Sequence, residues 1–474
     1  MQRYKKAIFA LIKQIIMTNK YHSVKPLKGF GEKRLFIETY GCQMNVSDSE
    51  VVLSILQPAG YTLCDNIKEA NLILINTCSI RDNAELRIWG RLNFFRLEKR
   101  KRKGLIVGVL GCMAERLKQE LLIHPTVDLV AGPDSYRSLP LLLENLEVGG
   151  KQINTILSQE ETYADISPVR MDKNGVSSYI SIMRGCNNMC SYCVVPYVRG
   201  GERSRDSESI IREARELFEN GYREVILLGQ NVDSYSWVNP HNPTEKTTFA
   251  MLLEMVALVD PALRVRFSTS HPKDISDSVL YTMAMYPNIC EHIHLPVQSG
   301  SDAILLKMNR KYTRAQYLER VSKIREIMPE CSLSTDIITG FSGESEEDHK
   351  DTLSIMREVG YFTAYMFQYS ERPNTKAARS YPDDVPEELK SKRLSEIIML
   401  HSELSLASNK KDLGKKFEVL VEGFSKKSKA DLTGRSPQNK VVVFPAGGHK
   451  PGDYVMVQIE SCTSATLLGK EIVK

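Results

Sequence analysis

The sequence lacks an apolar run long enough to cross a bilayer. Its most apolar early stretch, AIFALIKQII, is about ten residues long and contains Lys13. No small-residue cleavage site follows that stretch, so we expect no secretory signal and no membrane partner. The ten cysteines form no dense disulfide framework in a chain of 474 residues. These absences favour a reducing, cytoplasmic location, where clustered cysteines indicate metal or redox chemistry.

The formal net charge is also small, at only +5, but the charged residues are unevenly distributed along the chain. Residues 1–34 carry nine Lys and Arg against one acid (+8), and residues 411–474 carry eleven against seven (+4). The remainder is therefore −7, from 5 − 8 − 4. Basic ends around an acidic body fit a polyanionic partner, and they fit two solvated tails equally well.

Residues 34–150 alternate predicted strands and helices. Three strands are almost continuously apolar and are separated by helical patterns: RLFIETY, NLILINT and GLIVGVLG. Buried strands connected by helices predict an α/β domain with a parallel sheet.

Residues 176–410 resume the alternation with six predicted strands: YISIMRG, EVILLGQNV, RVRFSTSHP, HIHLPVQSG, LSTDIITGF and AYMFQYS. Six β/α units predict a partial (β/α)6 barrel of the TIM-like kind, which a long helix near 386–409 completes. The chemistry of such a barrel belongs at the carboxyl ends of its strands.

Three further segments complete the predicted organisation. Residues 1–33 are basic and without pattern, and we predict a flexible extension there. Residues 151–175 are polar and aperiodic, which indicates a linker. Residues 411–474 contain short strands separated by glycine turns, which predicts a small closed β-barrel.

The segment RGCNNMCSYC places Cys186, Cys190 and Cys193 within eight residues. Structural zinc sites use four protein ligands, and ferredoxin-type clusters use a fourth cysteine. A fourth cysteine is missing here, because the next one is Cys290. Three thiolates on a four-iron cluster leave one iron open to an outside ligand. The alternative is three unrelated buried cysteines.

A second triplet is dispersed along the chain. Cys42, Cys78 and Cys112 each directly follow a predicted strand of the first domain. The carboxyl ends of parallel strands lie along one edge of a sheet, so these cysteines can converge. They therefore predict a second metal site, unless they are simply small residues in tight turns.

The first triplet, with Tyr192 before its last cysteine, resembles the signature of the radical S-adenosylmethionine enzymes. The resemblance implies that the open iron of a 4Fe-4S cluster chelates S-adenosylmethionine, which is cleaved to methionine and a 5′-deoxyadenosyl radical. By position, it also implies cofactor contacts at strand ends, for which ordinary turn or barrel packing is the alternative. These candidates are Tyr192, Gly229, Gln230, Asn231, Ser268, Gln298 and Asp336.

The segments TYGCQMNVSDSE, NTCSIRDNAE and GCMAER resemble the N-terminal domain of the methylthiotransferases. The resemblance implies that Cys42, Cys78 and Cys112 hold an auxiliary 4Fe-4S cluster with an open iron. It further implies that the auxiliary cluster delivers sulfur, while two S-adenosylmethionine molecules provide one methyl group and one radical. An electron donor such as a flavodoxin or ferredoxin, and a sulfur source, are implied partners.

The last domain resembles a TRAM domain, a small RNA-binding β-barrel. Arg435 and Lys440 are the predicted RNA contacts there, by phosphate binding or base stacking, and Phe444 is either a stacking face or part of the barrel core. Arg203 and Arg205, next to the first triplet, are candidates for holding the nucleotide. The basic run at 96–104 extends the predicted footprint, although a solvated surface charge is the alternative for each single cation.

The methylthiotransferase family has three branches, which modify different substrates. One acts on isopentenyl (dimethylallyl) adenosine beside the anticodon of tRNA, a second on threonylcarbamoyl-adenosine in tRNA, and a third on an aspartate of a ribosomal protein. The quoted segments resemble the first branch most, and a basic last domain suits the anticodon stem-loop, where a loop base is readily turned out of its stack. The rival from another class is a non-catalytic iron–sulfur protein that binds RNA.

Overall fold

The computed structural model describes residues 33–79, 82–171 and 175–472. Apart from Lys33, the extension predicted over residues 1–33 lies outside this part of the chain. No helix within these ranges is long and apolar enough to cross a membrane.

The first domain is built on six parallel strands in the order β2-β1-β3-β4-β5-β6. The strands are β1 Lys33–Thr39, β2 Tyr61–Leu63, β3 Leu72–Thr77, β4 Ile106–Gly111, β5 Leu129–Ala131 and β6 Gln152–Asn154. Its helices are Gln43–Leu56, Asp82–Lys101, Cys112–Leu117, Gln119–Ile123 and Leu139–Val148, with a 3-10 turn at Tyr136–Ser138. Every residue of β3 is buried, as expected for a central strand that is covered on both faces.

The predicted linker needs a correction at its start. Residues 152–154 form the sixth strand and pair in parallel with Leu129–Ala131. Further along, Tyr163 is buried and stacks on Tyr136, with ring centroids 5.7 Å apart. Much of this segment therefore belongs to the first domain, and a three-residue strand is too short to produce a readable alternation.

The second domain has six parallel strands arranged in sequence order, as predicted. They form two three-stranded sheets that meet through a parallel bridge between Val265 and Ile289. The strands are β7 Ser177–Ser181, β10 Glu224–Leu228, β13 Arg264–Ser268, β14 His292–His294, β15 Ser332–Thr339 and β16 Thr363–Gln368. Two unpredicted two-stranded pairs join Met183–Arg184 to Arg203–Ser204 and Ser236–Asn239 to Asn242–Thr248.

Helices cover the outside of the partial barrel. They are Val195–Arg199, Ser207–Glu219, Phe249–Ala257, Asp277–Met285, Asp302–Lys307, Arg314–Ile327, Glu346–Val359, Lys376–Ser380 and Glu387–Lys410, with a 3-10 turn at Val232–Ser234. Their starts follow capping rules: Asp206 accepts a hydrogen bond from the Ser209 N–H, and Thr313 forms a capping box with Gln316.

The last domain is a closed five-stranded barrel in the order β17-β18-β19-β21-β20. The strands are β17 Lys416–Ser425, β18 Ser428–Arg435, β19 Val441–Pro445, β20 Tyr454–Cys462 and β21 Leu467–Glu471. Two buried arginines of β13 attach it to the larger barrel: Arg264 donates to the carbonyl of Arg435 at 2.8 Å, and Arg266 donates to that of Ser436 at 2.8 Å. Arg264 is the first residue of β13, so the last domain is attached near the amino ends of the larger barrel's strands. The carboxyl ends of these strands are therefore not covered by this attachment.

Candidate active site

The first cysteine triplet lies in the loop that follows the first barrel strand, between Met183–Arg184 and the helix Val195–Arg199. Gly185 has a φ of +77°, and a Cβ there would lie 1.9 Å from the carbonyl oxygen of Gly201. Only glycine allows this close crossing of the two loop segments. The amide of Cys186 then donates to the carbonyl of Gly200 at 3.2 Å, which fixes the start of the loop.

The three thiols of this loop are close enough to influence one another. Burial raises the pKa of Cys193 to about 12, and the neighbouring Cys190 and Cys186 add to that effect. Burial likewise raises the pKa of Cys186 to about 11. The buried guanidinium of Arg310 lies beside them and donates from Nη1 to the Sγ atom of Cys190 at 3.3 Å. Buried thiols of this kind ionise when a metal centre or a cation compensates their charge.

The predicted cofactor residues gather at the carboxyl ends of the barrel strands. Gly229 follows β10, and a Cβ there would lie 2.5 Å from the Cγ of Met183, so this approach also needs glycine. Three of the predicted cofactor residues have a buried side-chain amide oxygen without a hydrogen-bond partner among the described residues: Gln230 Oε1, Asn231 Oδ1 and Gln298 Oε1. Because buried polar atoms are normally paired, such a set is typical of a site for a polar ligand.

Two of the remaining cofactor candidates have side-chain contacts within the protein. Tyr192 packs against the apolar cluster that contains Phe341 and Tyr369, and Asp336 lies 3.4 Å from the Nε2 of His294. Ser268 ends β13, next to Thr269. The structure places all three near the strand ends and assigns none of them an unpaired polar group.

Two ionisable groups beside these amides were not predicted. Burial raises the pKa of Asp233 to about 7, although the neighbouring Ser270 and the His271 amide, which donates to Oδ2 at 3.1 Å, lower it. Burial lowers the pKa of His271 to about 2, with help from the positive charges of Arg310 and Lys273. The Nδ1 of His271 accepts from the Lys273 amide at 3.2 Å, so the neutral ring carries its proton on Nε2.

The dispersed triplet converges at the carboxyl edge of the first sheet. Gly41, with a φ of +118°, would place a Cβ 2.3 Å from the Cβ of Cys78, which sets Cys42 and Cys78 side by side. A hydrogen bond with Cys78 lowers the pKa of Cys42 to about 6, and Arg199 adds to this lowering. Burial raises the pKa of Cys112. The positive charge of Arg199 lowers this pKa, and the negative charge of an ionised Cys42 raises it. Three strand ends thus bring the three cysteines together, with Arg199 beside Cys42 and Cys112.

Arg199 belongs to the second domain and crosses into the first. From Nη2 it donates to Asp48 at 2.8 Å and to Asn45 at 3.2 Å, both in the helix that follows Cys42. Asp48 also accepts from Arg184 at 2.8 Å. Burial alone would raise the pKa of Asp48, but the two guanidiniums outweigh it and hold the pKa below its ordinary value.

Across the described ranges, no group of three or more His, Cys, Asp or Glu side chains is arranged as a site for a single metal ion.

The predicted nucleotide contacts next to the first triplet need correction. Arg203 is buried and donates to both carboxylate oxygens of Asp134 at 3.0 Å. Arg205 is buried as well and pairs with Glu213 and Ser209. Both guanidiniums hold elements together and face no open surface. An RSR sequence beside a candidate site does not reveal that its cations are already paired.

Two of the three candidate contacts in the last domain are also corrected. Phe444 is 1% exposed and belongs to the barrel core. Lys440 is buried, and its Nζ contacts Asp412 at 2.5 Å and the hydroxyl of Ser408 at 3.0 Å. Only Arg435 reaches the surface, where it pairs with Glu422 at 3.0 Å.

The residues that sequence reasoning missed are the buried arginines at the cysteines and their carboxylate. Arg184 lies two residues before Cys186, and Arg199 lies six residues after Cys193, so the two arginines flank the first triplet. Their charge so close to a cysteine motif was a readable signal. Their partner Asp48 was not, because 151 residues separate it from Arg199.

Comparison with known families divides the chain into three matched parts. Residues 34–132 match the uncharacterized protein family UPF0004, residues 180–356 match the radical SAM superfamily, and residues 410–472 match the TRAM domain. These ranges correspond to the open sheet, the partial barrel and the closed barrel.

Two curated relatives are similar over nearly the whole chain. The tRNA-2-methylthio-N(6)-dimethylallyladenosine synthase of Phocaeicola vulgatus is 58% identical over 93% of this chain and 96% of its own length. The protein of the same name from Bacteroides thetaiotaomicron is 56% identical, with the same coverage.

Among solved structures, the radical S-adenosylmethionine methyltransferase TsrM of Kitasatospora setae, with cobalamin and a [4Fe-4S] cluster bound, is similar in fold. The TM-score is 0.56 at 12% identity, covering 74% of this chain and 77% of that one. At this identity the similarity concerns the fold alone.

Proposed function

The chain belongs to the tRNA-2-methylthio-N(6)-dimethylallyladenosine synthase family, and on that premise we propose that it adds a methylthio group to N6-dimethylallyladenosine beside the anticodon of tRNA. The observation that carries the proposal is the pair of cysteine triplets in adjoining domains, each beside a buried arginine. A protein that only bound RNA would have no use for two such sites.

We assign Cys186, Cys190 and Cys193 to a radical cluster and Cys42, Cys78 and Cys112 to an auxiliary cluster. When bound, two 4Fe-4S clusters supply the electron that cleaves S-adenosylmethionine and a metal site at which sulfur is held. The chain itself lowers the solvent exposure of the thiols and places a compensating guanidinium at each set.

The fit of S-adenosylmethionine rests on the unpaired amides. Gln230, Asn231 and Gln298 offer buried carbonyl oxygens, which accept hydrogen bonds from an ammonium group or from ribose hydroxyls. Asp233 adds a carboxyl that is ionised in part near neutral pH. His271 remains neutral and donates from Nε2, so it does not repel a cationic sulfonium.

For tRNA we propose a surface that the corrected residues leave open. The tip of the hairpin formed by β17 and β18, hereafter the basic hairpin, carries Lys426, Lys427 and Lys429. All three are exposed and have no ion-pair partner among the described residues. Phe424, at 59% exposure, stands on the same hairpin. Lysines beside an exposed aromatic ring suit a phosphate backbone and an unstacked base.

The partners that the reaction needs are a reduced flavodoxin- or ferredoxin-type donor and a sulfur source. A tRNA substrate also places the proposed reaction in the cytoplasm.

Anaerobic reconstitution tests the proposal. We expect two clusters per chain by iron analysis, formation of 5′-deoxyadenosine on addition of reductant and S-adenosylmethionine, and a methylthio product only when dimethylallyl-modified tRNA is present. Absence of 5′-deoxyadenosine would favour the non-catalytic RNA-binding class. Product formation on threonylcarbamoyl-adenosine tRNA, or on a ribosomal protein, would move the chain to another branch of the family.

A further inference from the structure

Arg199 joins the segment of the first triplet to the helix that follows Cys42. It is 3% exposed and ends the helix that directly follows the first triplet. Its Nη2 is occupied by Asp48 and Asn45, whereas its buried Nη1 has no hydrogen-bond partner among the described residues. An unpaired guanidinium nitrogen in a buried place needs an acceptor.

The helix that Arg199 ends packs on the dispersed triplet, because Cys112 forms a buried cluster with Val194 and Val198. The Oδ1 of Asn45, which accepts from Arg199 at 3.2 Å, also accepts from the Sγ of Cys42 at 3.6 Å. The free side of the guanidinium therefore faces the dispersed triplet.

Asp48 links the segments of the two triplets through its hydrogen bonds. It lies six residues after Cys42 and accepts hydrogen bonds at 2.8 Å from both Arg184 and Arg199, which flank Cys186–Cys193. One buried carboxylate, 1% exposed, thus holds both ends of the radical loop against the helix that begins at the auxiliary site. Because the ion pairs are buried, they are screened little and keep a defined geometry.

We propose that Arg199 is a positioning and electrostatic residue of the auxiliary site: its Nη1 donates a hydrogen bond to a sulfur of the auxiliary cluster, and its charge, balanced by Asp48, sets the reduction potential of that cluster. This inference rests on the proposed function, since it requires the auxiliary cluster at Cys42, Cys78 and Cys112.

The direction of the effect follows from charge. A reduced cluster is more negative than an oxidised one, so a buried cation beside it stabilises the reduced state and raises the potential. A hydrogen bond to sulfur acts in the same direction. Asp48 has the opposite sign of charge and moderates both effects.

The test uses the full chain with Cys186, Cys190 and Cys193 replaced by Ala, so that iron is held only at the auxiliary site. Into this background we would introduce Arg199→Gln, Arg199→Lys and Asp48→Asn separately. The readouts are iron content and the midpoint potential, from a redox titration followed by electron paramagnetic resonance. Arg203→Gln is the matched control, because it removes another buried interdomain guanidinium that does not act on the auxiliary thiols.

We expect Arg199→Gln to shift the potential to more negative values and Asp48→Asn to shift it to more positive values. Arg199→Lys keeps the charge but loses the fork of donors, so its potential lies between those of the parent and Arg199→Gln. The control leaves the potential unchanged. General loosening of the interface would not produce shifts of opposite sign.

Iron retained with the same potential in Arg199→Gln and Asp48→Asn would overturn the role of Arg199 alone. If one of these variants fails to fold, the other still decides by the sign of its shift. A background that binds no iron would contradict the auxiliary cluster itself, and with it both the proposed function and this inference.

Discussion

The Nη1 of Arg310 lies 3.3 Å from the Sγ of Cys190, so a buried guanidinium stands at the radical triplet as Arg199 stands at the auxiliary one. Arg310 follows the fourth barrel strand and donates from Nη2 to the carbonyl of Pro296 at 3.1 Å. Each triplet thus carries a fixed compensating charge before any cluster is assembled.

We predict that Arg310→Ala destabilises the apo-protein by about 1–3 kcal/mol, because it removes the buried hydrogen bonds that the guanidinium donates to Tyr312 and Pro296. The same variant should lose iron from the radical site and leave the auxiliary iron in place. Thermal unfolding and iron analysis check both effects. Arg320→Ala, which breaks a more exposed pair with Asp277, should cost less than about 1 kcal/mol; equal effects of the two substitutions would count against a special role for Arg310.

Gln230→Ala should weaken binding of S-adenosylmethionine about 5- to 100-fold, since a buried hydrogen bond contributes roughly 1–3 kcal/mol when its loss leaves a ligand group unpaired. Equilibrium binding of the cofactor to the reconstituted protein measures this. Gln458→Ala, in the exposed part of the last domain, is the control and should leave the affinity unchanged. Unaltered affinity in Gln230→Ala would remove that amide from the cofactor site.

Asp233 predicts a pH dependence of apo-protein stability. Its folded pKa of about 7 is above the ordinary value of 3.8 that it regains on unfolding, so the stabilisation is complete below about pH 4 and is lost as pH rises through 7. Asp233→Asn removes this dependence. Between pH 5 and 8 we expect the unfolding temperature of the wild type to fall relative to that of Asp233→Asn, by the equivalent of a few kcal/mol. Parallel curves for the two proteins would show that Asp233 ionises normally.

Replacing Lys426, Lys427 and Lys429 together by Ala should weaken tRNA binding and reduce the slope of log affinity against log salt by about 2–3, because each lost phosphate contact releases about one counterion fewer. Phe424→Ala should lower affinity without changing the slope, since it removes stacking only. Fluorescence anisotropy at several salt concentrations separates the two. The control replaces Lys323, Lys350 and Lys392 on the outer barrel helices, and an equal loss there would mean that net charge alone governs binding.

The fold was predictable where local pattern and burial agree. The six barrel strands were readable because each is a short apolar run between helices, and the cysteines at Cys42, Cys78 and Cys112 were expected to meet because parallel strands end at one edge. The strand at 152–154 was missed because three residues carry no periodicity.

The errors of sequence reasoning share one cause. Lys440, Arg203 and Arg205 were interpreted as free cations, but partners distant in sequence neutralise them in the fold. For Phe444 the sequence left a stacking face and a core position open, and its place in the buried alternation of β19 decides for the core. Exposure and pairing depend on tertiary contacts, which a single sequence does not display.

The measurement that most directly tests the central claim is mass spectrometry of tRNA nucleosides from a strain that lacks its own dimethylallyladenosine methylthiolase and expresses this chain. We predict that the wild-type chain restores the 2-methylthio nucleoside. Cys78→Ala should accumulate unmodified dimethylallyladenosine yet still form 5′-deoxyadenosine when purified, whereas Cys331→Ala, outside both triplets, should behave as wild type. The claim would be contradicted if the wild-type chain produced no methylthio-nucleoside. It would also be contradicted if Cys78→Ala produced as much of this nucleoside as the wild type.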